Sequence, residues 1–175
     1  MANLIDTSFF VGEINIPNTG KLEVQESLTH FITKYETDLL QQLLGHGLWK
    51  SYNADNETPR FVELINGIEY DNGTKSWGGL VRINGTTKLS LIANYIYYHW
   101  LKDKEIWNSG IGSVKPTPNQ AINMSPGLKM VEAWNDMSKQ ICEFYDYMSF
   151  SKTSVYPEWN TFGLWQFKRT NDFDI

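Results

Sequence analysis

Residues 28–45 read LTHFITKYETDLLQQLLG. Leu28, Phe31, Ile32, Tyr35, Leu39, Leu40, Leu43 and Leu44 recur at three- and four-residue intervals. That spacing lays one broad apolar stripe along an α-helix. Glu26, Lys34, Glu36, Asp38, Gln41 and Gln42 are assigned to the opposite, polar face. Gly45 follows the last apolar pair and suits a helix C-terminus in a conformation other residues avoid. A short helix is expected to restart near Gly47, carrying Leu48, Trp49 and Tyr52 back onto the first.

Outward from this helix, the punctuation predicts the remaining elements. Residues 1–20 read as an extended arm with Phe9, Phe10, Val11, Ile14 and Ile16 partly alternating, closed by Pro17-Asn18-Thr19-Gly20. Thr58-Pro59 predicts a helix start, with Thr as N-cap, and Asn66-Gly67 its end. Residues 68–77 predict a β-hairpin around Asp71-Asn72-Gly73-Thr74, and Asn84-Gly85 a further turn. A second long helix is expected from about Thr87 to Trp107, with Leu89, Ile92, Ala93, Ile96, Tyr97, Trp100 and Leu101 as its main stripe. Residues 110–125 form a glycine- and proline-punctuated loop too long for a simple bundle connection, and so a candidate contact region. Ser125-Pro126 opens the last helix, in which Met130, Trp134, Met137, Ile141, Phe144 and Met148 make a coiled-coil-like seam. The expected fold is mainly α: a bundle of about four helices over residues 21–148, a minor β-hairpin, and extended arms at 1–20 and 149–175.

The final 26 residues carry seven aromatic side chains: Phe150, Tyr156, Trp159, Phe162, Trp165, Phe167 and Phe173. A solvated tail is poor in such rings, and burying one contributes about 1.5–3 kcal/mol. The tail therefore wraps its own domain or docks on a neighbouring subunit. Phe9, Phe10, Tyr156, Trp159, Phe162, Trp165 and Phe167 are the candidate contact residues of the two arms.

Composition narrows the function classes. The net charge is −5 and no cluster of Lys or Arg exists, which argues against a phosphate-neutralising nucleic-acid binder. Aromatics reach 14% while charged residues are 20%, favouring a surface partly covered by partners. One cysteine, Cys142, excludes a disulfide framework and reads as a small buried hydrophobe. Met1 to Phe10 lacks the pattern of a signal peptide, and no run of about 18 apolar residues exists, so assembly in a cytoplasm and no membrane span are expected.

Catalytic chemistry finds little purchase. His30, His46 and His99 have no His or Cys partner at metal-ligand spacing. Glu69 with Asp71, and Asp103 with Glu105, flank a turn and a helix end without a glycine-lined cleft. Gly78-Gly79 and Gly110-x-Gly112 fit neither a dinucleotide nor a P-loop frame. The aromatic run Tyr95, Tyr97, Tyr98 and Trp100 lacks the interleaved basic residues of a single-strand binder. No catalytic, cofactor-binding or metal-binding residue is assigned.

Several short motifs then occur in one order. They are Phe31-Ile32-x-x-Tyr35-Glu36, Leu39-Leu40-x-x-Leu43-Leu44-Gly45, Leu48-Trp49, Trp77-x-Gly79-Leu80 and Ala93-Asn94-Tyr95-Ile96-Tyr97-Tyr98. Gly110-x-Gly112, Asn123-Met124-Ser125-Pro126, Trp134-Asn135 and Asn160-x-Phe162-Gly163 complete the series. In this order the chain resembles head–tail connector (head-completion or adaptor) proteins of tailed bacteriophages, of the type found in phages and prophages of Bacteroidota-type hosts. The resemblance spans residues 22–165. It implies a non-enzymatic virion protein at the head–tail neck, forming a homo-oligomeric ring, commonly of twelve copies. Such a ring sits against the portal protein, offers a surface to tail or other neck proteins, and lets DNA pass without specific binding. It implies no cofactor. A tail-completion or terminator ring is the nearest alternative; a small hydrolase or nucleic-acid-processing factor is the alternative of another class.

Overall fold

The computed structural model describes residues 3–85, 87–104, 107–109, 112–114, 126–160 and 164–170. Helix α1 spans Leu22–Ala54 and α2 Pro59–Asn66. Two antiparallel pairs follow, β1 (Ile68–Tyr70) with β2 (Lys75–Trp77), and β3 (Arg82–Asn84) with β4 (Thr87–Leu89). Helix α3 covers Leu91–Lys104, β5 (Trp107–Ser109) pairs with β6 (Gly112–Val114), and α4 runs Pro126–Ser151. The fold is mainly α with minor antiparallel β structure. Helix α3 packs between α1 and α4. It buries Leu91, Ile92, Ala93, Tyr95, Ile96, Tyr97 and Trp100, as its nearly all-round apolar surface requires. No helix among the described residues is long and apolar enough to cross a membrane.

Helix α1 is interrupted at Gly45, whose φ of 70° and ψ of 167° lie in a region essentially reserved for glycine. The expected stop and restart are thus two halves of one element, with Leu39, Leu40, Leu43 and Leu44 buried before the break and Leu48 and Tyr52 after it. Residues 158–160 pack against the break. A side chain on Gly47 would stand 3.1 Å from the Glu158 carbonyl oxygen. The Trp159 indole Nε1–H donates to the Leu43 carbonyl at 2.9 Å, and the ring is fully buried. Beside it, the Tyr156 hydroxyl donates to the Arg60 carbonyl at 2.6 Å, tying the chain after α4 to α2.

The second half of α2 is closed by the chain from Trp77 to Val81. Leu80 N–H donates to the Leu64 carbonyl at 3.2 Å and Val81 N–H to that of Ile65 at 3.0 Å. The Trp77 indole adds a bond to Leu64 O at 2.8 Å. These donors satisfy carbonyls that a helix end leaves without partners.

Several sequence expectations are corrected here. Residues 87–89 form a strand, and α3 begins only at Leu91. Ser90 explains the shift: its hydroxyl accepts from Ile92 N–H at 3.1 Å, an N-cap bond, and donates to the Leu80 carbonyl at 2.7 Å. Leu89, expected on the helical stripe, is consequently 55% exposed. Helix α3 ends at Lys104, and Trp107 belongs to β5, where it is registered against Val114. One hairpin was expected, and three two-stranded pairs are found among the described residues. Thr58 sits at the N-cap of α2, but its hydroxyl makes no capping bond. Cys142 is exposed. Glu36, expected on the polar face of the first helix, is buried.

Trp159 offers a direct stability test. Trp159→Phe keeps a buried ring but strands the Leu43 carbonyl, and should cost about 1–3 kcal/mol. Trp159→Ala should cost about 3–5 kcal/mol. Urea unfolding of both variants beside the wild type measures the two effects.

Candidate functional site

Both ends of the described chain are bound to its own helices. Near the N-terminus, Asn3 Nδ2 donates to Thr33 Oγ1 at 3.1 Å. Leu4 N–H donates to Glu36 Oε1 at 2.7 Å and Ile5 N–H to Oε2 at 3.4 Å. Two 3₁₀ turns, Thr7–Phe9 and Gly12–Ile14, carry the segment onward, with Ile5, Phe9, Phe10 and Ile16 buried. Lys88 of β4 lies over the Phe9 ring at 5.2 Å and bonds Ser8 Oγ.

At the other end, Arg60 pairs with Glu158 at 3.1 Å beside the Tyr156 contact. A short 3₁₀ helix, Leu164–Phe167, then returns the chain to α4. Trp134 Nε1–H donates to the Lys168 carbonyl at 2.8 Å. The Asn135 side chain clasps Thr170 twice, donating to its carbonyl at 3.0 Å and accepting from its N–H at 2.8 Å.

These contacts place the candidate arm residues. Phe9, Phe10, Tyr156, Trp159 and Phe167 are at most 4% exposed within a single chain. Their rings are covered by the chain's own elements. Phe162 and the Trp165 side chain lie outside the described residues, as do Phe173 and most of the loop 110–125.

Two titratable groups, neither assigned a site role from the sequence, have strongly shifted pKa values. Glu36 has its carboxyl pushed up to about 7 by burial, against which the Leu4 and Ile5 N–H groups work. A raised carboxylate is the mark of many general acids. Here both oxygens face the N-terminal backbone, and the group holds a segment in place. His99 lies on α3, stacked on Tyr35 with ring centroids 4.1 Å apart and edge-on to Tyr95 at 4.5 Å. Burial, then the Lys102 charge, lower its pKa to about 4. The ring is therefore neutral at physiological pH. The Tyr95 hydroxyl donates to Asp38 Oδ2 at 2.8 Å, and its own pKa is raised by burial and by that bond. His30 and His46 are exposed, and no group of three or more His, Cys, Asp or Glu that could hold a metal occurs among the described residues.

One concavity is lined by charged and apolar side chains together. It measures about 530 Å³ and lies between Val11–Ile14, the β3–β4 hairpin, the start of α3 and the middle of α4. Arg82, Lys88 and Lys139 line it together with Glu13, Asp136 and Glu143. Arg82 Nη2 and Glu143 Oε2 pair at 2.7 Å. The chain matches no protein-family profile, no curated protein and no solved structure.

Glu36 and His99 give opposite pH signatures. The folded pKa of Glu36 is raised, so its contribution to stability is full below about pH 4.5 and is lost as pH rises through about 7. The folded pKa of His99 is lowered, so its contribution is full above about pH 6.5 and is lost as pH falls toward 4. Glu36→Gln should therefore gain stability relative to wild type at pH 8 compared with pH 5, and His99→Phe should gain at pH 4.5 compared with pH 7.5. Denaturant midpoints at these pH values measure both.

Proposed function

We propose that this chain is a structural, non-enzymatic virion protein, a head–tail connector that forms a ring between portal and tail. The order of the motifs across residues 22–165 carries this proposal. The residues of those motifs serve packing: Leu39, Leu40, Leu43, Leu44 and Leu48 fill the α1 core, Trp77 and Leu80 close α2, and Tyr95, Ile96 and Tyr97 lie buried in α3.

The surface supports the same proposal. A closed ring of identical copies uses heterologous contacts, in which one face meets a different face of the next copy. Large apolar side chains remain exposed at several places among the described residues, Leu22, Val62 and Leu128 on the helices included, and two of these places combine such side chains with the strand pairs. Val11, Ile83 and Leu89, at 50–63% exposure, surround the β3–β4 hairpin. Phe150, half exposed near the end of α4, rests against Tyr70 of β1 at 5.1 Å. Contacts to neighbours fall to these faces, because the arm rings are already covered. The net charge of −5 suits a channel along which DNA moves without being held.

The test is assembly. The purified chain is imaged alone and after co-expression with a portal protein from the same genome, with native mass spectrometry for copy number. Multi-copy rings, lost in Ile83→Asp and in Phe150→Asp while helical circular dichroism is kept, are the expected result. Mixing the two variants should restore pairs but no rings, since one intact face of each kind survives. A chain that stays single in the presence of portal, or that hydrolyses a nucleic acid or ester in an activity screen, overturns the proposal.

A further inference from the structure

Glu36 sits on α1 at 5% exposure, and no Lys, Arg or His pairs with it among the described residues. A carboxylate taken out of water without a cation is costly, and such a group responds by holding a proton. The charged and titratable groups around it are engaged elsewhere. On α1, Lys34 lies over the Tyr35 ring, and Asp38 accepts from Tyr95 and from Gln42. In the N-terminal segment, Asp6 accepts from Ser8 N–H, and Lys88 of β4 bonds the Ser8 hydroxyl. On α3, His99 is stacked on Tyr35. Tyr52, past the break in α1, feels the Glu36 charge, and its hydroxyl is kept protonated, chiefly by burial.

The Glu36 carboxyl is met by main-chain donors, Leu4 N–H on Oε1 at 2.7 Å and Ile5 N–H on Oε2 at 3.4 Å. The piece of chain that brings them is lightly held. Asn3 is exposed and reaches Thr33 Oγ1, Leu4 is half-buried, and only Ile5 of the three is buried. The hold tightens at Asp6. Its side chain accepts from Ser8 N–H at 2.8 Å and caps the first 3₁₀ turn, after which Phe9 and Phe10 are buried. A weakly held piece thus ends at a firmly held one, and the weak piece carries the donors that cover Glu36.

We propose that residues 3–5 form a clasp over α1 that opens when Glu36 ionises, hinged at Asp6, while the chain from Thr7 onward stays docked. Closed, the clasp suits a neutral carboxyl, because two N–H groups without a cation only partly replace the water around a carboxylate. Open, the carboxylate is hydrated, and the Leu4 and Ile5 N–H groups turn to water with it. The apolar loss on opening is Ile5 with part of Leu4, so one charge decides the balance. The available bias is set by burial, which pushes the carboxyl from 4.5 up to about 7, and amounts to about 300-fold at most. Releasing Phe9 and Phe10 as well would bare two further rings, which that bias does not offset. The clasp closes in acid and opens as pH rises through about 7. This goes beyond the ring proposal and is independent of it, since the clasp acts within a single chain.

The test is hydrogen exchange by NMR on the full chain, read at each amide as protection relative to its intrinsic rate at pH 5 and pH 8. Protection at Leu4 and Ile5 should fall by up to about 70-fold over this range. Phe9 and Phe10, whose N–H groups bond the Asp6 and Thr7 carbonyls, should keep theirs. Glu36→Gln stays neutral and keeps an acceptor, so its Leu4 and Ile5 amides should be equally protected at both pH values. Titration of the Glu36 carboxyl carbon in the wild type, expected near pH 7, decides the matter even where the variant folds poorly. Constant protection of Leu4 and Ile5 in the wild type overturns the proposal. So does a fall that persists in Glu36→Gln, a fall shared equally by Phe9 and Phe10, or a Glu36 carbon that titrates in the ordinary carboxylate range. Failure here leaves ring assembly untouched, and rings seen by imaging do not rescue it.

Discussion

The crossing of residues 158–160 over the break in α1 holds the architecture together. Gly45 takes a backbone conformation that no helix contains, and the Leu43 carbonyl two residues before it receives the Trp159 indole. Tyr156, three residues earlier, fixes the same segment to α2 through the Arg60 carbonyl. Trp77 then fixes the first hairpin to the end of α2 through the Leu64 carbonyl. Trp134 does the same for the last described residues through the Lys168 carbonyl. In each case an aromatic ring fills apolar volume while its polar edge answers a backbone acceptor at a helix break, within α2, or in the chain after a helix. Such rings do two tasks at once, which gives the 14% aromatic content an internal explanation. Leu43 and Leu64 are fully buried and could not turn to water for a donor.

Charge is used sparingly and in opposition. Glu36 is the one buried acidic side chain among the described residues, and it is tied to the N-terminal backbone. His99 sits one helix away in an aromatic sandwich. Folding favours the neutral form of each, so the two pull stability in opposite directions between about pH 4.5 and 7. Their opposition flattens the pH dependence across a range in which either alone would tilt it. Neither group lines the concavity beside the β3–β4 hairpin, and both are spent on holding elements together.

Much of this was legible in the chain. The apolar stripe of α1, the Thr58-Pro59 start, the Asn66-Gly67 stop, the hairpin at 68–77 and the α4 seam follow from period and turn chemistry, because those are local signals. Tertiary partners decided the rest. Thr87–Leu89 continues the stripe of α3 on paper, yet pairing with Arg82–Asn84 and the Ser90 cap pull it into a strand. The signal was a serine directly before Leu91-Ile92, outweighed by the longer periodic run. Glu36 occupies a polar position on the helical wheel, and only the N-terminal segment folding over it makes it buried. Cys142 shares a helix with Ile141 and Phe144, but helical geometry turns it away from both. The concavity beside the β3–β4 hairpin joins residues more than a hundred positions apart, from Glu13 to Glu143, so no window of sequence contains it.

The fixed tail also constrains how copies of this chain can meet. Releasing it for exchange with a neighbour would uncover Tyr156 and Trp159, at about 1.5–3 kcal/mol each. It would also strip donors from the Leu43 and Arg60 carbonyls and break the Arg60–Glu158 pair. The swapped contacts would restore these terms only after the neighbour's own tail had left. A ring built by tail exchange thus has a high barrier at every joint, whereas one built from preformed faces has none of this kind. The exposed hairpin residues Ile83 and Leu89, and Phe150 beside Tyr70, cost nothing to uncover because they already stand in solvent. For this chain, rigid docking of such faces is the physically cheaper route to a multi-copy assembly.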